Sequence, residues 1–288
     1  MSRYIPPHLR QKPVEQTVPE MKKMLDQLKT CADKLSEYDI DLNDINEFKC
    51  IHPNIWVKGE FIAKGNAGQV FQACCVNQNT QTIHSRSKEC KFVVKIIEHK
   101  IRAGYELITQ EVIQKEILLQ QAFNKHNLTT PIIEAFYCKS TNTSYIITKP
   151  KQSTLYQLCD GLASIHNYKF VTQTSLEYLD LIVMLLQRAI DSIVLANKYG
   201  LYHHDTHLHN FMTDVDVDDV VEEVNQAVQT LQFIDFGYSL QAQPNDYDLS
   251  EYDMSLFISS IMELPFARLV YPKLKLYHFQ AHFDEFYS

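Results

Sequence analysis

The sequence predicts an α+β fold of two lobes, with strands in the first half and helices in the second. The first half holds short runs rich in β-branched and aromatic residues on either side of a glycine turn, a pattern typical of strands. In the second half, apolar residues recur at helical spacing over residues 174–199, before Gly200. With 288 residues, the chain is long enough for two lobes that share a cleft.

Composition narrows the class of protein. The net charge of −8 argues against a general nucleic-acid binder, which usually carries a basic face. The seven cysteines are odd in number and form no C-x-x-C, so neither a disulfide framework nor a zinc ribbon fits. The N-terminus has no apolar signal core, and no apolar stretch is long enough to span a bilayer. We expect a reduced, cytoplasmic protein with no membrane or direct nucleic-acid partner.

Four segments of the chain differ in composition and in the pattern of their apolar residues. Residues 1–14, with three prolines and three basic residues, predict a disordered tail. An amphipathic stripe within residues 15–50 predicts a helical N-terminal extension. Strand patterns favour a first lobe over residues 51–150, and helical patterns favour a second, shortened lobe over residues 151–288.

The elements of the two lobes follow from local patterns of apolar residues and breakers. In the first lobe, strands flank the glycine turn at Gly65, and apolar runs predict a strand over 91–97, a helix over 106–124 and a strand over 144–148. In the second lobe, a compact loop follows the helix that ends at Gly200. Further along, the patterns predict a strand over 231–235 and a helix over 252–264.

The glycine turn contains Gly65 and Gly68. Glycines let backbone N–H groups approach phosphates without interference from a Cβ atom. A plain hairpin turn explains the same residues equally well.

Lys95 lies inside the apolar strand VVKII. A lysine in that position costs desolvation unless it meets an anion, although an edge-strand lysine could instead extend its amine to water. The next helix offers Glu111 and Glu116. We favour Glu116 because Ile117 and its apolar neighbours place a buried face beside it.

The most informative segment is the histidine-rich loop over 201–212, with Asp205 and, five residues later, Asn210. A second carboxylate, Asp235, follows at the end of a strand. Two carboxylates and an amide oxygen suit Mg²⁺ and a base for a hydroxyl group. Four histidines beside Asp205 also leave a transition-metal cluster as a weaker alternative.

These features together resemble the eukaryotic protein kinase family over residues 56–263. That family has a glycine-rich loop, a strand lysine, a helix glutamate, an H-x-D-x-x-x-x-N loop and a D-F-G sequence. This chain has counterparts in the same order: Gly65 and Gly68, Lys95, Glu116, His203 to Asn210, and Asp235-Phe236-Gly237. The resemblance implies a two-lobed protein-kinase-like fold with a shortened C-lobe, and ATP and Mg²⁺ as cofactors.

The resemblance also implies roles for individual residues. Lys95, held by Glu116, would bind the α- and β-phosphates of ATP. Asn210 and Asp235 would hold Mg²⁺, and Asp205 would orient the acceptor hydroxyl and accept its proton. The other nucleotide-binding positions would be Ala63, Gly65, Asn66, Gly68, Val70 and Thr148.

The chain departs from the family in three ways. Ala63 replaces the first glycine of the loop, and no Ala-Pro-Glu follows Gly237. His207 stands where many serine/threonine kinases carry lysine, which resembles haspin-like kinases and the aminoglycoside and choline kinase branch. A histidine that touched the γ-phosphate would add a pH-dependent component to the rate. Asp253 is expected to brace the catalytic loop from the following helix.

Three functions compete. The first is a serine/threonine protein kinase; the second is a small-molecule kinase of the aminoglycoside or choline type, favoured by His207 and the missing Ala-Pro-Glu. The third is a nucleotide-binding scaffold, which would not need the base Asp205. The compact architecture is similar to kinases of large DNA viruses, which would place the protein in a host cytoplasm or virion.

The tail carries one short motif, Tyr4 to Arg10. It resembles a segment in the N-termini of some DEAD-box RNA helicases and approximates a motif that binds the cap-binding translation initiation factor. Such motifs fold onto a groove of their partner. We therefore expect a translation-initiation or RNA-factor partner, in addition to a protein substrate.

Overall fold

The structure, a computed structural model, describes residues 47–49, 54–65, 68–77, 91–99, 110–138, 142–164 and 173–279. The predicted tail, the Tyr4–Arg10 motif and Asn66 lie outside these residues.

The first lobe is built on one antiparallel sheet. Its six strands are β1 (Glu47–Lys49), β2 (Asn54–Lys64), β3 (Gln69–Asn77), β4 (Phe92–Glu98), β5 (Ile132–Cys138) and β6 (Thr143–Thr148). They lie in the order β1-β2-β3-β4-β6-β5. The central strands are rich in β-branched residues, and Val94 and Ile147 on two of them are fully buried.

Helix α1 (Gln110–Asn124) covers one face of this sheet. Ile113 and Ile117 of the helix form a buried cluster with Ile97 of β4. Because side chains alternate along a strand, Lys95 shares its face with Ile97 and is directed to the α1 side. The helical repeat brings Glu116 onto the same side of α1 as Ile113 and Ile117.

The second lobe is mainly helical. Its helices are α2 (Leu155–Ser164), α3 (Gln173–Lys198), α4 (Val224–Thr230), α5 (Tyr247–Met262) and α6 (Ala267–Val270). Short strands hold the loops between these helices. A three-stranded sheet joins β7 (Ser153–Thr154), β9 (Phe211–Thr213) and β10 (Gln232–Phe233), and a two-stranded sheet joins β8 (Leu201–Tyr202) and β11 (Leu240–Gln241).

Helix α3 is the centre of the second core. Leu185, Leu186, Ala189 and Ile193 are all fully buried, as the helical spacing predicts. The chain leaves the helix at Gly200, whose φ of +70° favours glycine. A Cβ atom there would clash with the main-chain oxygen of Ala242. The turn that leads into the histidine-rich loop therefore requires glycine.

The structure differs from the sequence predictions at three boundaries. Strand β1 lies inside the predicted helical extension, so the sheet begins before residue 51. This strand is held by its pairing with β2, and a strand of three residues is too short to be predicted from its sequence pattern. Helix α5 begins at Tyr247, five residues before the expected start at 252, because Asp246 caps it through Leu249. The strand expected over 231–235 is only Gln232–Phe233, since Asp235 turns away with a φ of +60°.

Among the described residues, no single helix is long and apolar enough to cross a membrane. One pair, Tyr247–Met262 with Ala267–Lys273, meets that test by length and composition, but is bent by 120°.

Candidate functional site

Lys95 lies at the centre of a charged cluster between the lobes. Its Nζ atom is 2.6 Å from Oε1 of Glu116 and 2.8 Å from Oδ1 of Asp235. The structure thus pairs Lys95 with Glu116, not with the exposed Glu111 one turn earlier. Glu116 is only 4% exposed, so its carboxylate needs the lysine as a buried counter-charge.

The three charges stabilise one another. Burial alone would lower the pKa of Lys95, but Glu116 and Asp235 raise it above its ordinary value. The positive charge of Lys95 in turn lowers the pKa of Asp235, outweighing the burial of that carboxyl. Lys95 and Asp235 are therefore both charged at neutral pH, and a cationic amine is available to a bound polyanion.

The glycine turn closes on itself above this cluster. The N–H of Gly65 donates to the oxygen of Gly68 at 2.9 Å, so that N–H group is already used. A Cβ atom on Gly68 would lie 2.5 Å from the oxygen of Ile96, whereas one on Gly65 would meet, among the residues that the structure describes, only the Gly68 oxygen, at 3.9 Å. Gly68 is therefore required by the close approach of β4.

The remaining predicted nucleotide positions lie on the strands. Val70 of β3 is the partner of both Ala63 on β2 and Lys95 on β4. Thr148 is the last residue of β6, opposite Val93 and Ile132. Val70 and Thr148 therefore lie on the two strands that pair directly with the lysine strand β4, and Ala63 lies one strand further away, beyond β3.

The histidine-rich loop over 201–212 holds its polar residues close together. The amide nitrogen of Asn210 donates to Oδ2 of Asp205 at 3.0 Å and to the main-chain oxygen of Asp205 at 2.8 Å. His207 Nε2 lies 3.6 Å from Oδ2 of Asp205. Burial alone would raise the pKa of Asp205, but the neighbouring His207, His203 and Asn210 side chains lower it. Asp205 is therefore a carboxylate at neutral pH, able to accept a hydrogen bond.

Asp253 on α5 holds this loop in place through hydrogen bonds. Its two carboxyl oxygens accept the N–H groups of His203, at 3.0 Å, and of His204, at 2.7 Å. The hydroxyl of Thr206 donates to the main-chain oxygen of Asp253. The prediction that Asp253 braces the loop is confirmed, although the residue lies in the second turn of α5 rather than at its start. Burial raises the pKa of Asp253 to about 7.

The four histidines of the loop have separate surroundings. Burial lowers the pKa of His203 and of His204 to about 4. His203 Nε2 is 2.9 Å from the oxygen of Ile234, while His204 packs on Tyr252 and His209 on Tyr156. Within the described part of the chain, no group of three His, Cys, Asp or Glu side chains could hold a metal ion.

One cavity of about 620 Å³ lies between the glycine turn and the histidine-rich loop. Its lining brings together residues from both lobes, including five of the predicted site residues. Among the described residues, the predicted site residues outside this lining are Ala63, Gly68, Val70, Lys95, Glu116 and Thr148, and Lys95 meets it through its contact with Asp235. The lining residues are Lys64, Gly65, Asp205, His207, His209, Asn210 and Asp235.

The donor set of this cavity fits Mg²⁺. The amide nitrogen of Asn210 is committed to Asp205, so its amide oxygen is the atom left for a cation. Lys95 takes Oδ1 of Asp235, which leaves Oδ2. Mg²⁺ is usually held by one or two carboxylates together with substrate phosphates and water, and this pair of oxygens matches that preference.

The segment after Gly237 is short and tied back to the second lobe. Buried Ser239 donates to the oxygen of His203 at 3.2 Å. The hydroxyl of Tyr202 donates to the oxygen of Gln243 at 2.7 Å and accepts the N–H of Asp246 at 2.8 Å. These hydrogen bonds hold residues 239–246 against the histidine-rich loop.

Comparisons with known proteins reveal the fold but no close relative. No protein-family model and no curated protein matches this sequence. Solved structures do match, in 1547 chains. One of them, the crystal structure of the BubR1 kinase domain, superposes with a TM-score of 0.52 at 16% identity. The match covers 80% of this chain and 62% of that one, so this chain spans less than two thirds of its length.

The chain thus has a kinase-like α+β fold, in agreement with the predicted fold class. Two features of the site were not predicted from the sequence. One is the direct contact of Lys95 with Asp235, 140 residues away. The other is the stack of His209 on Tyr156; an aromatic residue beside the cleft gives no periodic signal that would reveal it.

Proposed function

We propose that this chain is a magnesium-dependent phosphotransferase that moves the γ-phosphate of ATP to a serine or threonine hydroxyl of a protein. The observation that carries the proposal is the position of Lys95. Its ammonium group is held by Glu116 and Asp235, and Asp235 lines the same cavity as Asp205. The choice of a serine or threonine acceptor follows from the resemblance of the motifs to protein kinases.

Lys95 would bind the α- and β-phosphates of ATP. Its two carboxylate partners keep the amine charged and fix its position before the nucleotide arrives. A preorganised cation stabilises phosphate charge without reorganising during the reaction. The turn at Gly65 and Gly68 would cover the phosphates from above, since Gly65 and its neighbour Lys64 line the cavity.

Asp235 and Asn210 would hold Mg²⁺ through the two oxygens identified above. When bound, Mg²⁺ neutralises charge on the transferring phosphate. This requires Asp235 to share its carboxylate between Lys95 and the cation, which its position permits because that side chain is 39% exposed.

Asp205 would orient the acceptor hydroxyl. Its lowered pKa keeps it ionised, so it accepts a hydrogen bond from the hydroxyl and aims the oxygen at the phosphate. It takes up the hydroxyl proton as the new O–P bond forms and the bond between the γ-phosphorus and the β–γ bridging oxygen breaks, which releases ADP. Asn210 supports this role by holding one carboxylate oxygen. His207 lies within 3.6 Å of that same oxygen and lines the cavity, beside the reacting groups.

A small alcohol is the second candidate acceptor. The observation that favours it is the short segment 239–246, which is tied to the second lobe and offers little surface for a peptide. The likeness to compact viral kinases and the cytoplasmic location remain part of the proposal, as does the partner of the Tyr4–Arg10 motif.

The test is transfer of labelled γ-phosphate from Mg-ATP by the purified protein to histone and casein and, separately, to small alcohols. Asp205→Asn is expected to reduce transfer by roughly 10²–10⁴-fold, because the acceptor loses its orienting base. ATP binding, followed by thermal shift, should be retained. Asp248→Asn, an exposed carboxylate on α5, is the matched control and should change neither.

Label on protein serine or threonine that Asp205→Asn removes would support a protein kinase. Label on a small alcohol alone would replace the proposal with the second candidate. ATP binding with no transfer to either class of acceptor would contradict both and leave a nucleotide-binding scaffold.

A further inference from the structure

Three ring side chains follow one another outward from Asp205. His207 lies 3.6 Å from the Asp205 carboxylate. The rings of His207 and His209 are 5.9 Å apart between centroids and nearly perpendicular, at 68°. His209 then stacks on Tyr156 of α2, at 4.4 Å and 26°. We call His207, His209 and Tyr156 the ring row.

The ring row is accessible and firmly supported. His207 and Tyr156 are each 37% exposed, and His209 is exposed as well. Both histidines line the cavity that contains Asp205. His209 is held between buried Leu208 and Asn210, and Tyr156 follows the buried Leu155. The row therefore joins the reacting carboxylate to the outer surface of the second lobe.

The outer part of the row presents ring faces. His209 stacks on Tyr156 at an interplanar angle of 26°, and both side chains are exposed. Such a pair offers planar faces that favour a third ring over a charged side chain.

We propose that the ring row is the acceptor-binding surface, and that it selects a peptide with an aromatic residue two or three positions from the acceptor hydroxyl. This inference rests on the proposed function. The distance follows from the rings: an extended peptide advances about 3.3–3.6 Å per residue. With the hydroxyl at Asp205, the steps of 3.6 Å to His207 and 5.9 Å to His209 place the ring of His209 within reach of the second or third neighbour. Tyr156 stacks on that ring and supports it.

The experiment uses the full chain and a set of synthetic peptides. Each peptide has one central serine in an alanine-glycine background, and each flanking position is replaced in turn by Phe, Leu, Arg or Glu. The value of kcat/KM is measured for the wild-type protein, Tyr156→Ala and Tyr156→Phe. Tyr199→Ala is the matched control, because Tyr199 is 43% exposed and stacks on His126 at 3.6 Å outside the cavity lining.

The wild-type protein should prefer Phe, two or three residues from serine, over Arg or Glu. Tyr156→Ala should reduce that preference by roughly two- to tenfold, the range expected for one aromatic contact. Tyr156→Phe should retain it, because the ring faces remain, and Tyr199→Ala should leave it unchanged. Thermal unfolding of each variant establishes that it is folded.

Phosphorylation of the peptides without an aromatic preference would overturn this inference alone. So would a preference for Arg or Glu, or an aromatic preference that Tyr156→Ala leaves intact. No transfer to any peptide, including the background peptide, would overturn the proposed protein kinase activity and the inference with it.

Discussion

The two sides of the cleft are held together by different forces. On the side proposed to bind the nucleotide, called the nucleotide side, Lys95, Glu116 and Asp235 are fixed by full charges less than 3 Å apart. On the side proposed to bind the acceptor, called the acceptor side, buried His203 and half-buried His204 are neutral rings, and the loop is fixed by hydrogen bonds from its main chain to Asp253.

This difference agrees with the proposed function. A polyanion such as ATP would need a cation in place beforehand, and a cation in a buried site needs carboxylates to balance it. A hydroxyl acceptor would need only one well-placed carboxylate, Asp205, so the rest of that loop can be held by main-chain hydrogen bonds rather than by charges.

Glu116→Gln removes a charge from the nucleotide side and, after Asp205→Asn, is expected to have the largest effect. Lys95 would exchange a charged partner for a neutral amide, and a hydrogen bond to a charged group contributes about 1.5–3 kcal/mol. Activity should fall roughly 10–100-fold. Glu111→Gln, in the same helix but exposed, should change activity little. The measurement is kcat/KM for ATP; equal losses in the two variants would contradict the assigned pair.

Gly68→Ala and Gly65→Ala test the glycine turn independently of the charged cluster around Lys95. Alanine at position 68 would place its Cβ atom 2.5 Å from a main-chain oxygen of β4, so the turn must move. Forced overpacking of this kind costs about 1–3 kcal/mol. We expect a raised KM for ATP and a lower melting temperature in Gly68→Ala alone. A larger effect from Gly65→Ala would show that the turn has a different arrangement.

The acceptor side predicts a pH dependence of stability. Between about pH 4 and 6.5, the unfolded state binds protons at His203 and His204 while the native state does not, so the free energy of unfolding rises with pH. Asp253 acts oppositely: its native pKa is raised to about 7, so it retains a proton that the unfolded chain has lost. Each group contributes at most about 1.4 kcal/mol per pH unit.

Two variants test these opposing contributions. Because two histidines outnumber one carboxyl, urea unfolding of the wild-type protein should show a net rise in free energy from about pH 4.5 to 6.5. Asp253→Asn removes the opposing group and should make that rise steeper. His204→Asn should make it shallower. Identical slopes in all three proteins would contradict the buried, neutral state of this loop.

Local sequence patterns were sufficient to predict a contact where both residues lie on a regular strand or helix. The strand alternation directs Lys95 toward α1, and the helical repeat favours Glu116 because it lies beside Ile117. The motif spacing likewise brings Asp205 and Asn210 into one loop. Boundaries were less predictable: α5 begins at Tyr247 because of the Asp246 cap, and β1 forms only because β2 lies beside it.

The sequence by itself thus determined the two-lobed kinase-like fold, the order of the motifs and the identity of most charged residues in the cleft. Only the tertiary structure decided that Asp253 holds the backbone of His203, 50 residues away, and that Tyr156 stacks on His209 beside the cavity that contains Asp205. The reason is physical: hydrophobic periodicity reports which face of an element is buried, but not which distant element covers it. Contacts between such elements depend on how the second core packs around α3.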